Sequence, residues 1–92
     1  MRTTEKALQS KIDQLNKITG NPPTTYRYVG GTMKGNVGNY CLNGVYGGWN
    51  LVQIVNEGGG IHSLLFGRTK SELYSRIESL IMGVLIGKEL HL

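Results

Sequence analysis

The stretch from Asn39 to Asn56, NYCLNGVYGGWNLVQIVN, predicts a tight β-hairpin that the rest of the chain is built to cover. Two β-rich runs meet at Gly47-Gly48. Paired glycines favour a two-residue connection there, because they adopt the positive φ angles that primed hairpin turns need. We therefore expect strands at about 39–46 and 49–56.

The predicted hairpin has two different faces, because side chains alternate across a strand. With the two glycines at the tip, Tyr46 lies opposite Trp49 and Leu42 opposite Gln53. The better core face carries Tyr40, Leu42, Tyr46, Trp49, Leu51, Gln53 and Val55. The second face carries Cys41, Val45, Val52 and Ile54, diluted by Asn43 and Asn50, and is too apolar to be left bare in water.

A helix is predicted before the hairpin, over about 4–19. Thr3 or Thr4 can cap its start, and Leu8, Ile12 and Leu15 recur at helical spacing to form one apolar stripe. Gly20 supplies a C-terminal stop.

A second and clearer helix is predicted over about 70–88. The sequence Thr69-Lys70-Ser71-Glu72 matches a capping box, in which each end residue satisfies a backbone donor of the other. The apolar positions behind it follow helical spacing closely: Leu73, Ile77, Leu80, Ile81, Val84 and Leu85.

The remaining segments complete an α+β domain. Residues 24–32 predict a strand weakened at Gly30-Gly31, and Ile61 to Phe66 fits either a short edge strand or an ordered loop. We expect a single domain over 1–92, in which an N-terminal helix, a three-stranded antiparallel meander and a C-terminal helix follow one another. Both helices should pack on one face of the sheet.

Composition limits the function classes without choosing among them. The net charge of +4 comes from scattered residues, so it permits an acidic partner and does not demand one. The single Cys41 excludes an internal disulfide and favours a reduced, cytoplasmic setting. Residues 1–10 are polar and do not predict a signal peptide, and the longest run of low charge is far too short to span a membrane.

One set of residues suggests nucleic-acid binding. Tyr26-Arg27-Tyr28 mixes aromatic and basic side chains on a predicted strand, as do sheets on which bases stack. The alternative is that both tyrosines are core residues and Arg27 faces water. The candidate contact residues are Tyr26, Arg27, Tyr28, Lys34, Arg68 and Lys70.

A second set suggests acid-base chemistry. Glu57 opens the triple-glycine loop and His62 follows five residues later, so the two groups could act together if they lie close. The alternative is a solvated carboxylate and a surface imidazole. Cys41 and His62 could form a nucleophile and its base. The alternative is that Cys41, in the middle of a predicted strand, is an inert small hydrophobic residue. No metal-ligand spacing appears, and no cofactor is expected.

The segments GNYCLNGVYGGWNLVQIVNEGGGIHSLLFG and RTKSELYSRIESLIMGVLIGKEL resemble small proteins encoded by bacteriophages and prophages. The resemblance covers roughly residues 38–88 and implies an α+β fold in a bacterial host cell, with no catalytic residue to carry over. We therefore expect a non-enzymatic accessory or interaction module. We also expect a homodimer or larger assembly, joined through the second sheet face or the side of the last helix that carries Gly83 and Gly87.

Overall fold

The computed structural model describes residues 2–90 and has the predicted α+β class. The elements in chain order are α1 (Glu5–Thr19), β1 (Tyr26–Val29), β2 (Thr32–Gly35), β3 (Tyr40–Val45), β4 (Gly48–Ile54), β5 (Ile61–Gly67) and α2 (Lys70–Leu90). Strands β3, β4 and β5 form one antiparallel sheet in that order, and β1 and β2 form a separate hairpin.

Both helices begin where the sequence predicts. Thr4 caps α1, its hydroxyl accepting a hydrogen bond from the N–H of Ala7 at 3.1 Å, and Gly20 ends the helix at φ 73°. At α2, the Thr69 hydroxyl accepts from the N–H of Glu72 at 3.1 Å. Only this half of the capping box forms, because the Glu72 carboxylate accepts from Arg76 instead.

The two helices run parallel to each other. Thr3 is hydrogen-bonded to Ser71, Lys11 forms an ion pair with Glu78, and Lys88 donates to the carbonyl of Ile18. Contacts that advance along both helices in the same direction require this arrangement. Both helices pack on one face of the three-stranded sheet, as predicted, and the core lies between them. Its buried members are Leu8, Ile12, Leu15, Leu51, Leu73, Ile77 and Ile81.

The hairpin of β3 and β4 has a different tip from the predicted one. Val45 pairs with Gly48, so the connection is Tyr46-Gly47 and only Gly47 has positive φ. The primed turn forms instead at Gly30-Gly31, where both φ angles are positive.

This shift moves each cross-strand partner by two residues and therefore leaves the two faces unchanged. Leu42 now lies opposite Leu51, and both still face the helices. The predicted core positions of Tyr46 and Val55 are wrong: Tyr46 lies fully exposed in the turn, and Val55 follows the end of β4 half exposed.

Strand membership also differs from the predicted meander. Residues 24–32 do not join the main sheet, since Tyr26–Val29 folds back on Thr32–Gly35. The third strand of the main sheet is Ile61–Gly67. The sequence had predicted either a short edge strand or an ordered loop for this segment. A β-bulge in β5 leaves Leu64 unpaired, between Ser63 opposite Val52 and Leu65 opposite Leu51.

The second sheet face is partly covered by the chain itself. Val52 and Ile54 are each 1% exposed, and Gly35 at the end of β2 lies close to the side chain of Ile54. The sequence-based reason for expecting self-association, a second face without a cover, is therefore wrong for these two residues.

Candidate functional site

The hairpin of β1 and β2, residues 26–35, stands away from the body of the molecule, and we call it the wing. Its turn glycines, Gly30 and Gly31, have no other side chain close to them. Tyr28 is 73% exposed, and Val29 and Met33 are each about half exposed. The wing thus presents an aromatic ring and two apolar side chains to solvent.

The base of the wing is fixed by Arg27. Its guanidinium donates to the carbonyl of Gly35 at 3.1 Å, to Oδ1 of Asn36 at 2.7 Å and to the carboxylate of Glu57 at 2.5 Å. The N–H of Gly35 also donates to the carbonyl of Glu57 at 2.8 Å. These bonds tie the wing to the glycine-rich loop after β4.

Asn36 adds buried hydrogen bonds to the attachment of the wing. Its side chain is almost fully buried, and its amide donates to the carbonyl and hydroxyl of Thr24 while its oxygen accepts from Arg27. The N–H of Asn36 donates to the carbonyl of Thr25. The sequence reasoning missed this residue, and its one signal was an asparagine beside a glycine in a turn.

The candidate nucleic-acid residues divide into separate groups. Tyr26, Tyr28 and Met33 share one face of the wing, while Arg27 and Lys34 lie opposite each other on the other face. Arg27 is engaged with Glu57, so part of its charge is neutralised within the chain. The alternative that both tyrosines are core residues is wrong, because Tyr26 is half exposed and Tyr28 more so.

Arg68 and Lys70 belong to a different part of the surface. They flank Thr69, the residue that caps α2, and the ammonium group of Lys70 lies 5.5 Å from the ring centre of Trp49. This distance allows a cation–π contact. The structure therefore does not join these two basic residues to the tyrosines of the wing.

Glu57 and His62 are not brought together as an acid-base pair. The Glu57 carboxylate binds Arg27, and no hydrogen bond or ion pair joins it to His62 among residues 2–90. His62 lies exposed on β5, opposite Gln53. Glu57 therefore has a structural role, which is to bind Arg27. His62 faces solvent.

Cys41 lies beside a shallow groove between the base of the wing and the second sheet face. The groove has a volume of about 460 Å³, and its lining includes Thr25, Tyr26, Val52 and Ile61. Burial raises the pKa of the Cys41 thiol, and a hydrogen bond with Thr25 lowers it by less. A thiol with a raised pKa is a poor nucleophile at neutral pH.

A metal site or a membrane-spanning helix within residues 2–90 would need a recognisable set of side chains. No three His, Cys, Asp or Glu side chains lie together there as a metal site would require. Within that same part of the chain, neither helix has the length and apolar character needed to cross a bilayer.

The chain matches no family model, no curated protein and no solved structure.

Proposed function

We propose that the chain is a non-enzymatic interaction module, encoded by a phage or prophage, that docks a protein partner through the exposed apolar face of the wing. One observation carries the proposal: Tyr28 is 73% exposed, beside a half-exposed Met33, on a hairpin whose base is held by the hydrogen bonds of Arg27. Tyrosine anchors are enriched among the residues that dominate binding energy. A fixed base lowers the entropic cost of docking.

The polar contacts support a binding role over an enzymatic one. The carboxylate best placed for acid-base work, Glu57, is held by Arg27, and the thiol of Cys41 has a raised pKa. Phage origin rests on the sequence resemblance, and the cytoplasm of the bacterial host follows from that origin.

The docking proposal predicts that Tyr28→Ser lowers partner capture at least tenfold, because losing a buried aromatic anchor costs about 2 kcal/mol or more. The measurement is quantitative capture from phage-infected cells by the immobilised protein. Tyr46→Ser is the matched control, since it removes a tyrosine that is even more exposed, at the other hairpin turn. Proteins held by the wild type and by Tyr46→Ser, and lost by Tyr28→Ser, support the wing. Equal capture by all three chains would refute it.

We also propose that the chain assembles with itself, as a dimer. Support comes from the end of α2, where Met82, Leu85 and Ile86 are each exposed by two fifths or more. These three large apolar side chains lie within five residues of one helix, and exposed apolar patches mark sites of protein–protein interaction.

Nucleic-acid binding is a second candidate, favoured by the exposure of Tyr28 on the same hairpin as Lys34. An exposed ring offers a base a stacking surface, and Lys34, on the other face of the same two-stranded ribbon, offers a phosphate contact. Under this function, binding of a labelled single-stranded oligonucleotide should weaken between 50 and 200 mM salt, at concentrations chosen to expose a charge effect. Lys34→Ala should reduce the salt dependence by about one ion.

Arg27→Ala should weaken the same binding less directly, since Arg27 is bound to Glu57. Absence of any oligonucleotide binding at low salt would refute this second function and leave the first one standing.

A further inference from the structure

The first turns of the two helices lie side by side at one end of the molecule. The hydroxyl of Ser71 donates a hydrogen bond to the hydroxyl oxygen of Thr3 at 2.7 Å, and the parallel helices both start there. Two stretches that are far apart in the sequence, residues 2–6 and 68–71, therefore meet at this end. Together they contain four basic residues, which are Arg2, Lys6, Arg68 and Lys70.

This end carries most of the net charge of the chain. Within residues 2–90, none of the four basic side chains forms an ion pair. Of the two acidic residues in the first turns of the helices, Glu72 is paired with Arg76, and only Glu5 has no ion pair in the described part of the chain. Four positive charges against one negative charge give +3 here, out of +4 for the whole chain. The fold thus gathers charges that are scattered along the sequence.

A fully exposed aromatic ring lies at the same end. Tyr46 occupies the two-residue turn between β3 and β4, and Gly48, just after that turn, lies against the carbonyl oxygen of Gly67. Arg68 follows Gly67 directly, so the turn and the start of α2 are neighbours. The structure therefore brings Tyr46, and not the tyrosines of the wing, towards the basic residues at the start of α2.

A second aromatic residue positions Lys70. Its ammonium group lies 5.5 Å from the ring centre of Trp49, and Trp49 in turn packs against the hydrophobic core. A cation–π contact holds the ammonium group in place without a carboxylate that would neutralise it. Lys70 therefore keeps its charge for a ligand and loses less side-chain freedom on binding one.

We propose that this end of the molecule binds single-stranded nucleic acid. We call it the basic end and define it by the residues Arg2, Lys6, Tyr46, Arg68 and Lys70. The basic side chains contact phosphates, and a base stacks on the ring of Tyr46. Binding here rests on the nucleic-acid function given above as the second candidate, and it assigns that function to a surface other than the wing.

The composition of the basic end fits a nucleic acid better than a protein partner. Charged residues are depleted in the cores of protein–protein interfaces, whereas a phosphate backbone offers negative charge to several cations at once. Proteins that bind single strands combine a positively charged surface with aromatic rings on which bases stack. The wing offers less charge for this purpose, because Arg27 is bound to Glu57 and leaves Lys34 as the other basic residue of that hairpin.

The decisive experiment measures the fluorescence anisotropy of a labelled oligothymidine of roughly 20 nucleotides, longer than the site of one small binding module. The protein is titrated in at several salt concentrations. Two double variants remove charge from the basic end: Arg68→Gln with Lys70→Gln, and Arg2→Gln with Lys6→Gln. Each should raise the dissociation constant about tenfold or more at about 100 mM salt. Each should also lower the salt slope by about 1.4, since every phosphate contact to a single strand contributes about 0.7.

The matched control is Lys17→Gln with Lys34→Gln, which removes the same charge from the last turn of α1 and from the wing. It should change the dissociation constant by less than about threefold and leave the salt slope unchanged. Tyr46→Ser separates stacking from charge: it should raise the dissociation constant about tenfold at every salt concentration and leave the slope unchanged. Circular dichroism verifies that each variant is folded.

Three results would overturn the basic end. The first is a control pair that weakens binding as much as the other two pairs, because binding would then follow net charge or the wing. The second is binding to vesicles of phosphatidylglycerol and phosphatidylcholine that the same double variants lose, with normal oligonucleotide binding by Tyr46→Ser, because the surface would then face anionic lipid. The third is a wild type that binds no oligonucleotide at about 50 mM salt. That result would also end the nucleic-acid function and leave docking of a protein through the wing untouched.

Discussion

Replacement of Asn16 by leucine is expected to lower the free energy of unfolding by about 3 kcal/mol, although leucine is the more apolar residue. Asn16 is 1% exposed and closes the edge of the main sheet. Its side-chain oxygen accepts from the N–H of Tyr40 at 2.7 Å, and its amide donates to the carbonyl of Tyr40 at 3.0 Å. Leucine removes both bonds at once, and each backbone group left without a partner at a buried site costs about 1–3 kcal/mol.

Urea denaturation of the wild type and Asn16→Leu measures this effect. Gln14→Leu is the matched control, because it also replaces an amide by leucine on α1 at an exposed position, where changes stay within about 0.5 kcal/mol. Asn16→Asp keeps an acceptor for the Tyr40 N–H and loses the donor to its carbonyl, so it too should destabilise. If Asn16→Leu were as stable as Gln14→Leu, the two bonds to Tyr40 would not hold α1 to the sheet.

The helices and the face of the sheet that they cover could be predicted from the sequence because both depend on local spacing. The stripe of Leu8, Ile12 and Leu15 repeats at the helical period, and these residues are fully buried. The two faces of the central hairpin were predicted correctly although its turn was not. A register shift of two residues keeps each side chain on the same face of the strand. Asn16 lies one residue from Leu15 on the apolar side of α1, and this position was the available signal for its role.

The turns could not be assigned because Gly30-Gly31 and Gly47-Gly48 both stand between β-rich residues. Gly30-Gly31 forms the primed turn, whereas at Gly47-Gly48 only the first glycine is in the turn. Position 48 needs glycine because no side chain fits there: a Cβ on Gly48 would lie 2.5 Å from the carbonyl oxygen of Gly67. That requirement comes from β5, a strand almost 20 residues away in the sequence, and no local pattern reveals it.

The wing could not be predicted for the same reason. Its base is attached through a bond from Arg27 to Glu57, which lies 30 residues later in the chain. Composition alone made Tyr26-Arg27-Tyr28 a candidate site. Composition does not predict that Arg27 binds Glu57. It also does not predict that Tyr26 and Tyr28 are exposed to solvent.

The substitution Gly67→Ala is expected to destabilise the fold by about 3 kcal/mol or more, a large effect for one methyl group. Gly67 is buried where β5 ends and α2 begins. An alanine Cβ there would lie 2.5 Å from the backbone nitrogen of Leu73 and 2.9 Å from its Cα. Backbone atoms in the first turn of a helix cannot swing aside as a side-chain tip can, so α2 has to move away from the sheet. Leu73 and Ile77, both fully buried, would then lose part of their packing.

The matched control is Gly83→Ala, which adds the same methyl group to the same protein with the opposite expected sign. Nothing lies within 4 Å of the new Cβ, and alanine favours a helix interior over glycine by about 1 kcal/mol. Thermal and urea unfolding should therefore place Gly67→Ala well below the wild type and Gly83→Ala at or above it. Measuring both at low protein concentration separates fold stability from assembly. Equal stabilities for the two variants would mean that the junction between β5 and α2 is looser than the contact at Leu73 requires.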